Sequence, residues 1–304
     1  MSATPIDLSR LPSPDIVETI DFETLLAERK AKLVSLYPAD QQAEVAAALA
    51  LESEPMNILL QENAYREVVL RQRVNDAARS IMLAYAQGTT LEHLAALFEV
   101  QRLTISEPDP ADDIDGVYEN DTDLRARTQL APQGFSVAGP EGAYIKHARD
   151  ADGRVLDASA VSPAPCEVVV TVLSREGDGT ADKPLVDKVQ AALSADDVRP
   201  LTDFVTTRSA TIKRYAVRAT LIFFAGPDRS VALAEANKRV KTYTTEMHKL
   251  GMEITLDGIY AAARAPGVQK VILDEPAADI PISKMESAYC TAIELIDGGI
   301  YNNE

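Results

Sequence analysis

Residues 55–87 read PMNILLQENAYREVVLRQRVNDAARSIMLAYAQ. Within them Met56, Leu60, Asn63, Glu67, Leu70, Val74, Ala77, Ile81 and Ala84 follow a strict 4-3-4-3 spacing. That spacing repeats every seven residues, the period of a helix face turned toward partner helices. Ser53, with Pro55 in the first turn, opens the helix, and Gly88 is placed to end it. The spacing predicts one helix from Pro55 to about Gln87, roughly 50 Å long at 1.5 Å per residue. A rod of that length outruns the cover an ordinary compact domain provides. A partner chain is the natural cover; the alternative is a small bundle with the other N-terminal helices. Asn63 and Glu67 interrupt the seam. They either mark a solvent-facing stretch or fix register, a known use of a polar seam residue.

Working outward toward the N-terminus, Asp21 is placed to cap a helix carrying Phe22, Leu25, Leu26, Leu33 and Leu36, which Pro38 stops. Asp40 is placed to cap an Ala-rich helix through Leu51, with Val45 and Leu49 as its large apolar positions. Beyond Gly88, Thr89 and Glu92 form a capping box for a short helix with Leu91, Leu94, Ala95 and Phe98. Residues 1–103 thus read as a bundle-forming helical arm.

The next 21 residues, 104–124, hold eight acids and no base, nearly half of the formal net charge of −17. With Pro108 and Pro110 they read as a solvated, self-repelling connector that lets the flanking domains swing. Past it the pattern changes. Helices are expected at 124–130, capped near Asp121, and at 140–148. Strands at 155–161 and 167–173, separated by Ser162-Pro-Ala-Pro165, form a hairpin. The Gly177-Asp-Gly179 turn precedes a helix at 185–193, and Arg199-Pro200-Leu201-Thr202-Asp203 introduces a strand through Thr207. A half-buried strand (215–224), a long helix (229–250, ended by Gly251), a helix capped by Thr255 and reaching Ala265, and strands at 267–273 and 289–295 complete the chain. The expected fold class is α+β: the arm, then a central domain (125–208) and a C-terminal domain (209–297). Both place helices on small, largely antiparallel sheets, and 298–304 form a loose tail.

The chain has 304 residues, 46% hydrophobic and 25% charged, ordinary values for a globular protein. Its negative charge argues against direct binding to nucleic acid or an anionic membrane surface. No apolar run is long enough to span a bilayer, and residues 1–11 lack a basic start and an apolar core, so a protein that is cytosolic or assembled from a cytosolic pool is expected. Cys166 and Cys290 read as buried strand thiols.

Catalytic patterns stop at near misses. There is no phosphate loop, and Gly177-x-Gly179 is a lone fragment of a dinucleotide turn. Gly134-Phe-Ser136-Val-Ala138 lacks the last glycine of a nucleophile elbow. His93, His147 and His248 fall in expected helices without zinc spacing. A calcium loop centred on Gly116 would use Asp113 and Asp115 but has Ala111 first and Thr122 last. No enzyme activity, cofactor or metal is expected.

Three runs together carry a resemblance. They are Asp121-x-x-Leu124-Arg125-x-Arg127, then Ser136-x-x-Gly139-Pro140-Glu141-Gly142-Ala143-Tyr144, and then, after the hairpin, Arg199-Pro200-Leu201-Thr202. In order and spacing they resemble the baseplate J-like family of contractile phage tails and related injection machines, and most of all its members in P2-like temperate phages. The Gly267-Val268 strand and Pro276 with Ile280 to Ile282 look similar too. The resemblance implies a structural, late virion protein of the tail baseplate, assembled in the host cytoplasm. It implies a wedge in which two copies join a smaller tail protein I-like chain through their N-terminal helices. Above that bundle sits a sheath initiator of lysozyme-like fold. The α+β domains would meet neighbouring wedges around a central hub, in a ring that opens as the sheath contracts and the genome is ejected. Asp121, Arg125, Arg127, Gly139, Tyr144, Arg199 and Pro200 would be structural. A tail-assembly chaperone absent from the virion, or a tail-associated hydrolase, are the competing readings.

Overall fold

The computed structural model describes residues 8, 11, 20–108, 114–135, 139–226 and 228–301. The chain divides into a helical unit, Ile6–Leu97, and a second unit from Phe98 onward.

The helical unit holds α1 (Phe22–Ser35), α2 (Gln42–Leu49), α3 (Pro55–Ser80) and α4 (Gly88–Ala96). Asp21 caps α1 by accepting the Thr24 N–H at 3.0 Å. α1 packs antiparallel on the first turns of α3. Leu25, Leu26 and Ala64 form the core, flanked by Ile20, Phe22, Leu60 and Val68. At the far end of the pair the Tyr37 hydroxyl lies 4.0 Å from the Met56 sulfur. Asn57, buried at the start of α3, donates to the Leu51 carbonyl at 2.9 Å and fixes the turn out of α2.

The long helix is shorter than its pattern predicts. It stops at Ser80 after 26 residues, about 39 Å at 1.5 Å per residue. Ser80 turns its hydroxyl back onto the Ala77 carbonyl at 2.8 Å, a local bond that competes with helix continuation. Tight turns follow, with the Tyr85 and Ala86 N–H groups both on the Met82 carbonyl at 2.9 Å. Gly88, at φ +52°, opens α4 and does not cap α3.

The second unit begins with a short ribbon, β1 (Thr104–Ser106) antiparallel to β2 (Val117–Tyr118). Asn120, one residue before the expected cap, accepts the Asp123 N–H at 2.9 Å and starts α5 (Asp121–Leu130). Next come α6 (Glu141–Ala151), β3 (Val155–Val161), β4 (Glu167–Ser174), α7 (Lys183–Leu193) and β5 (Phe204–Ser209). β3 and β4 are the expected hairpin, and α7 crosses over to bring β5 parallel to β4, in sheet order β3-β4-β5. Tyr144 and Ala148 of α6 and Leu185, Val189 and Leu193 of α7 bury against Val170, Val172 and Val205.

β5 is an edge strand, and its outer edge is closed by a side chain. Gln190 of α7 donates to the Val205 carbonyl at 2.9 Å and accepts the Thr207 N–H at 2.6 Å. Its carboxamide stands where a further strand would pair, one of the ways edges are protected.

β6 (Thr211–Phe223) follows after Ala210 alone. Then follow α8 (Arg229–Glu246), α9 (Leu256–Ala263), β7 (Val268–Glu275) and β8 (Glu286–Ile300), giving sheet order β7-β6-β8. β6 pairs antiparallel with β7 and parallel with β8. Val240, Ile254, Ile259, Val217, Leu221 and Phe223 lie at the centre of the core. The class is α+β, and each three-stranded sheet carries one parallel pair. The junction between the sheets is tight: Ala210 N–H donates to Val172 at 2.8 Å and Thr211 N–H to Met285 at 3.2 Å. Asp157 of β3 accepts the Leu250 N–H at 3.1 Å, and the Ser159 hydroxyl donates to the Lys284 carbonyl.

Three expectations change here. Gly298 and Gly299 belong to β8, not to a loose tail: a Cβ on Gly298 would lie 2.6 Å from Thr220 Cγ2 and 3.2 Å from the Leu221 oxygen, so the strand needs glycine to approach β6. Cys166 is exposed in the β3–β4 turn at φ +65°, and Cys290 is half-buried in β8; both thiols are free. α8 ends four residues early, leaving His248 beyond it, where its ring Nδ1 meets the Ala288 carbonyl at 2.7 Å.

Gly153 shows how closely the connector is held. A Cβ there would overlap the Thr104 carbonyl oxygen and lie 2.9 Å from its carbon. Gly153→Ala is expected to displace β1 and lower stability by about 1–3 kcal/mol, the usual cost of overpacking. A lowered urea midpoint checks this; an unchanged one would mean that β1 shifts freely.

Candidate functional site

Two features stand out: the outer face of α3 and a knot of arginines and carboxylates at the end of the acidic connector. The N-terminal half of the α3 seam is used within the chain. Leu60 joins the α1 core, and Met56 is half-buried. Glu67 pairs with Arg29 of α1 and, at 2.7 Å, with Arg71. Those arginines hold its carboxyl below the usual range. Asn63 donates to its own helix at Leu59, 2.9 Å. The C-terminal half is bare: Leu70 is 64%, Val74 62% and Ile81 70% exposed, and Ala77 is exposed beside them. Ile81 caps α3, and Ala84 sits in the turn beyond. The reason is length, since α1 has 14 residues against the 26 of α3.

The connector's last acids are not a free self-repelling run. Arg127 of α5 binds Glu119 at 2.6 Å, Asp150 of α6 at 2.7 Å and the Gln101 carbonyl at 3.1 Å. Glu119 and Arg127 are 3% and 5% exposed. Arg102 takes Asp121 at 2.7 Å, and Arg175, just past β4, takes Asp123 at 2.6 Å and the Gly153 carbonyl at 2.9 Å. Three carboxylates that read as repelling one another are each neutralised by a guanidinium. Asp109, Asp112 and Asp113 lie outside the described residues.

The family-motif residues fall into two groups. Asp121 and Arg127 meet in this knot, with Arg125 half-buried on the same helix. Tyr144 donates to Asp203 at 2.5 Å, tying α6 to the turn begun by Arg199 and Pro200. Burial first, then Asp203, pushes the Tyr144 hydroxyl well above its ordinary pKa. Gly139 stands apart, with open space where a Cβ would be. Sequence reading missed Arg102, Glu119, Asp150 and Arg175 as partners. The one available signal was the alternation of acids at 119, 121 and 123 directly before the motif arginines.

Ser136 lies outside the described residues. His147 is half-buried with its Nε2 unpartnered, and burial, then Lys146, lowers its pKa. Among the described residues no three His, Cys, Asp or Glu side chains are grouped to hold a metal ion, and no helix is long and apolar enough to cross a membrane.

Comparison with known proteins gives the family. Residues 52–109 match the baseplate J-like N-terminal domain, 136–209 the baseplate J-like central domain, and 215–296 the baseplate J-like protein C-terminal domain. Baseplate protein J of Escherichia phage P2 is 50% identical over 299 residues, covering 97% of this chain and 98% of that protein. α3, the knot's first acids, the Tyr144–Asp203 tie and both sheets all fall within the stretch that this likeness covers, and the chain belongs to the baseplate J-like family.

Proposed function

We propose that this chain is a structural subunit of a contractile phage tail, working in the baseplate wedge. The observation that carries the reading is the half-identical likeness to baseplate protein J along nearly the full length of both chains. The bare apolar half of α3 supports a role as a bundle-forming handle. A second copy and a smaller tail protein I-like chain cover that face in the assembled wedge. The sheath initiator sits above it, and the α+β unit meets neighbouring wedges and the hub. The ring they form is assembled in the host cytoplasm, and its opening accompanies sheath contraction and genome ejection. Such work runs through interfaces with two packed arrangements and needs no catalytic group.

The test is the composition and yield of particles. Mass spectrometry of purified virions is expected to find the chain in the tail, and a phage lacking it is expected to make no sheathed tails. Virions free of the chain, with assembly still dependent on it, would make it an assembly chaperone.

A further inference from the structure

A cavity of about 260 Å³ lies between α5, α6, β3 and the segment 249–252 that follows α8. Its apolar walls come from Ala126, Leu130, Ile145, Leu156 and Met252. Six charged side chains line it: Asp123, Glu141, Arg149, Asp157, Lys249 and Lys284. Three of these are taken up in close pairs, Asp123 with Arg175 at 2.6 Å and Glu141 with Lys284 at 2.7 Å.

The other three decide what fits. Asp157 accepts the Leu250 N–H at 3.1 Å and the Ala158 N–H at 2.9 Å, so its oxygens are committed to the backbone. Arg149 is 9% exposed, and its Nε is buried with no acceptor. Arg149 and Lys249 both lie near enough to act on Asp157 through their charges. Two cations stand against one carboxylate. The balance leaves room for a single negative charge. A doubly charged phosphate would exceed it. A planar carboxylate suits it and matches the fork of a guanidinium.

We propose that this cavity is a carboxylate-binding site, in which Arg149 receives the group and Lys249 completes its neutralisation. The apolar walls then take the carbon stem that carries the carboxylate. That stem is a short acidic side chain of a partner protein or a small free carboxylic acid.

Propionate is the probe. Thermal unfolding of the full chain in sodium propionate is compared with sodium chloride at equal ionic strength. The expected result is a rise of the midpoint by about 2–4 °C once propionate exceeds its Kd roughly tenfold. Arg149→Met should abolish the rise, each protein's midpoint in propionate being compared with its own midpoint in chloride. An equal rise in both proteins, or none in the parent, overturns the site. If Arg149→Met does not fold, Ala126→Leu decides: it fills the cavity from α5 with Arg149 intact. Loss of the propionate shift then supports the site, and its persistence overturns it.

A second arm identifies the source by co-purification with co-expressed baseplate proteins. Loss of a partner on Arg149→Met assigns the carboxylate to that partner, and retention assigns a free acid. Only this arm rests on the baseplate reading, so failure of that reading leaves the propionate result standing.

Discussion

Arg127→Met is expected to destabilise the α+β unit by about 3–5 kcal/mol, the cost of leaving a buried charge without its partner. Glu119 has a side chain 2% exposed and Arg127 one 6% exposed, so water cannot replace what is lost. Glu119 would keep only the Leu103 N–H at 3.3 Å, and its other oxygen is already buried without a partner. The change also strips Asp150 of its 2.7 Å bond and frees the Gln101 carbonyl. Urea unfolding reads the effect as a midpoint lowered by roughly 1–3 M. Adding Glu119→Gln should recover part of the loss, because the uncompensated carboxylate is then gone. A cost below about 1 kcal/mol, typical of an exposed pair, would mean the knot is open to solvent.

Leu70→Asp is expected to act the opposite way, with little effect on the chain alone and a large one on its assembly. Leu70 is 64% exposed in the bare half of α3, so an aspartate there stays solvated in the isolated protein. In a shared helix bundle the same side chain becomes a buried, unpaired charge, costing about 3–5 kcal/mol. That is a loss of association of roughly two to four orders of magnitude. Circular dichroism should show an unchanged melting midpoint, while pull-down with co-expressed baseplate proteins should fail. Normal co-purification would remove this half of α3 from the interface. Leu60→Asp provides the contrast: Leu60 packs against α1, so that variant should melt early by itself.

How far the sequence could be read follows the range of the forces involved. The Asp21 cap, the 155–173 hairpin and the core faces of α7 and β6 depend on neighbours a few residues away, and their patterns are periodic. The stop of α3 at Ser80 is different. Met82-Leu83-Ala84 are sound helix formers, and no glycine intervenes before Gly88, so propensity argues for continuation against the Ser80 hydroxyl bond that competes with it. Gly298-Gly299 reads as an ending by the same local rules, yet β8 needs its glycine because Thr220 stands in the way of a side chain. The arginine knot was the least legible. Asp123 and Arg175 are 52 residues apart, and no local pattern announces a pairing at that distance. The α3 seam was half legible: its spacing showed an interior face, but not that α1 claims the first part and leaves Leu70, Val74 and Ala77 uncovered.

The passage from β5 to β6 has a mechanical consequence. With only Ala210 between them, Phe204 to Phe223 forms one nearly unbroken extended path, roughly 65 Å at 3.3 Å per residue. There is no slack tether at this point to absorb a displacement. Tension on the central sheet passes through covalent backbone into the parallel rungs that β6 shares with β8, which resist it in shear and together. The Asp157–Leu250 and Ser159–Lys284 bonds tie the two sheets together across this junction, so twisting one against the other strains them.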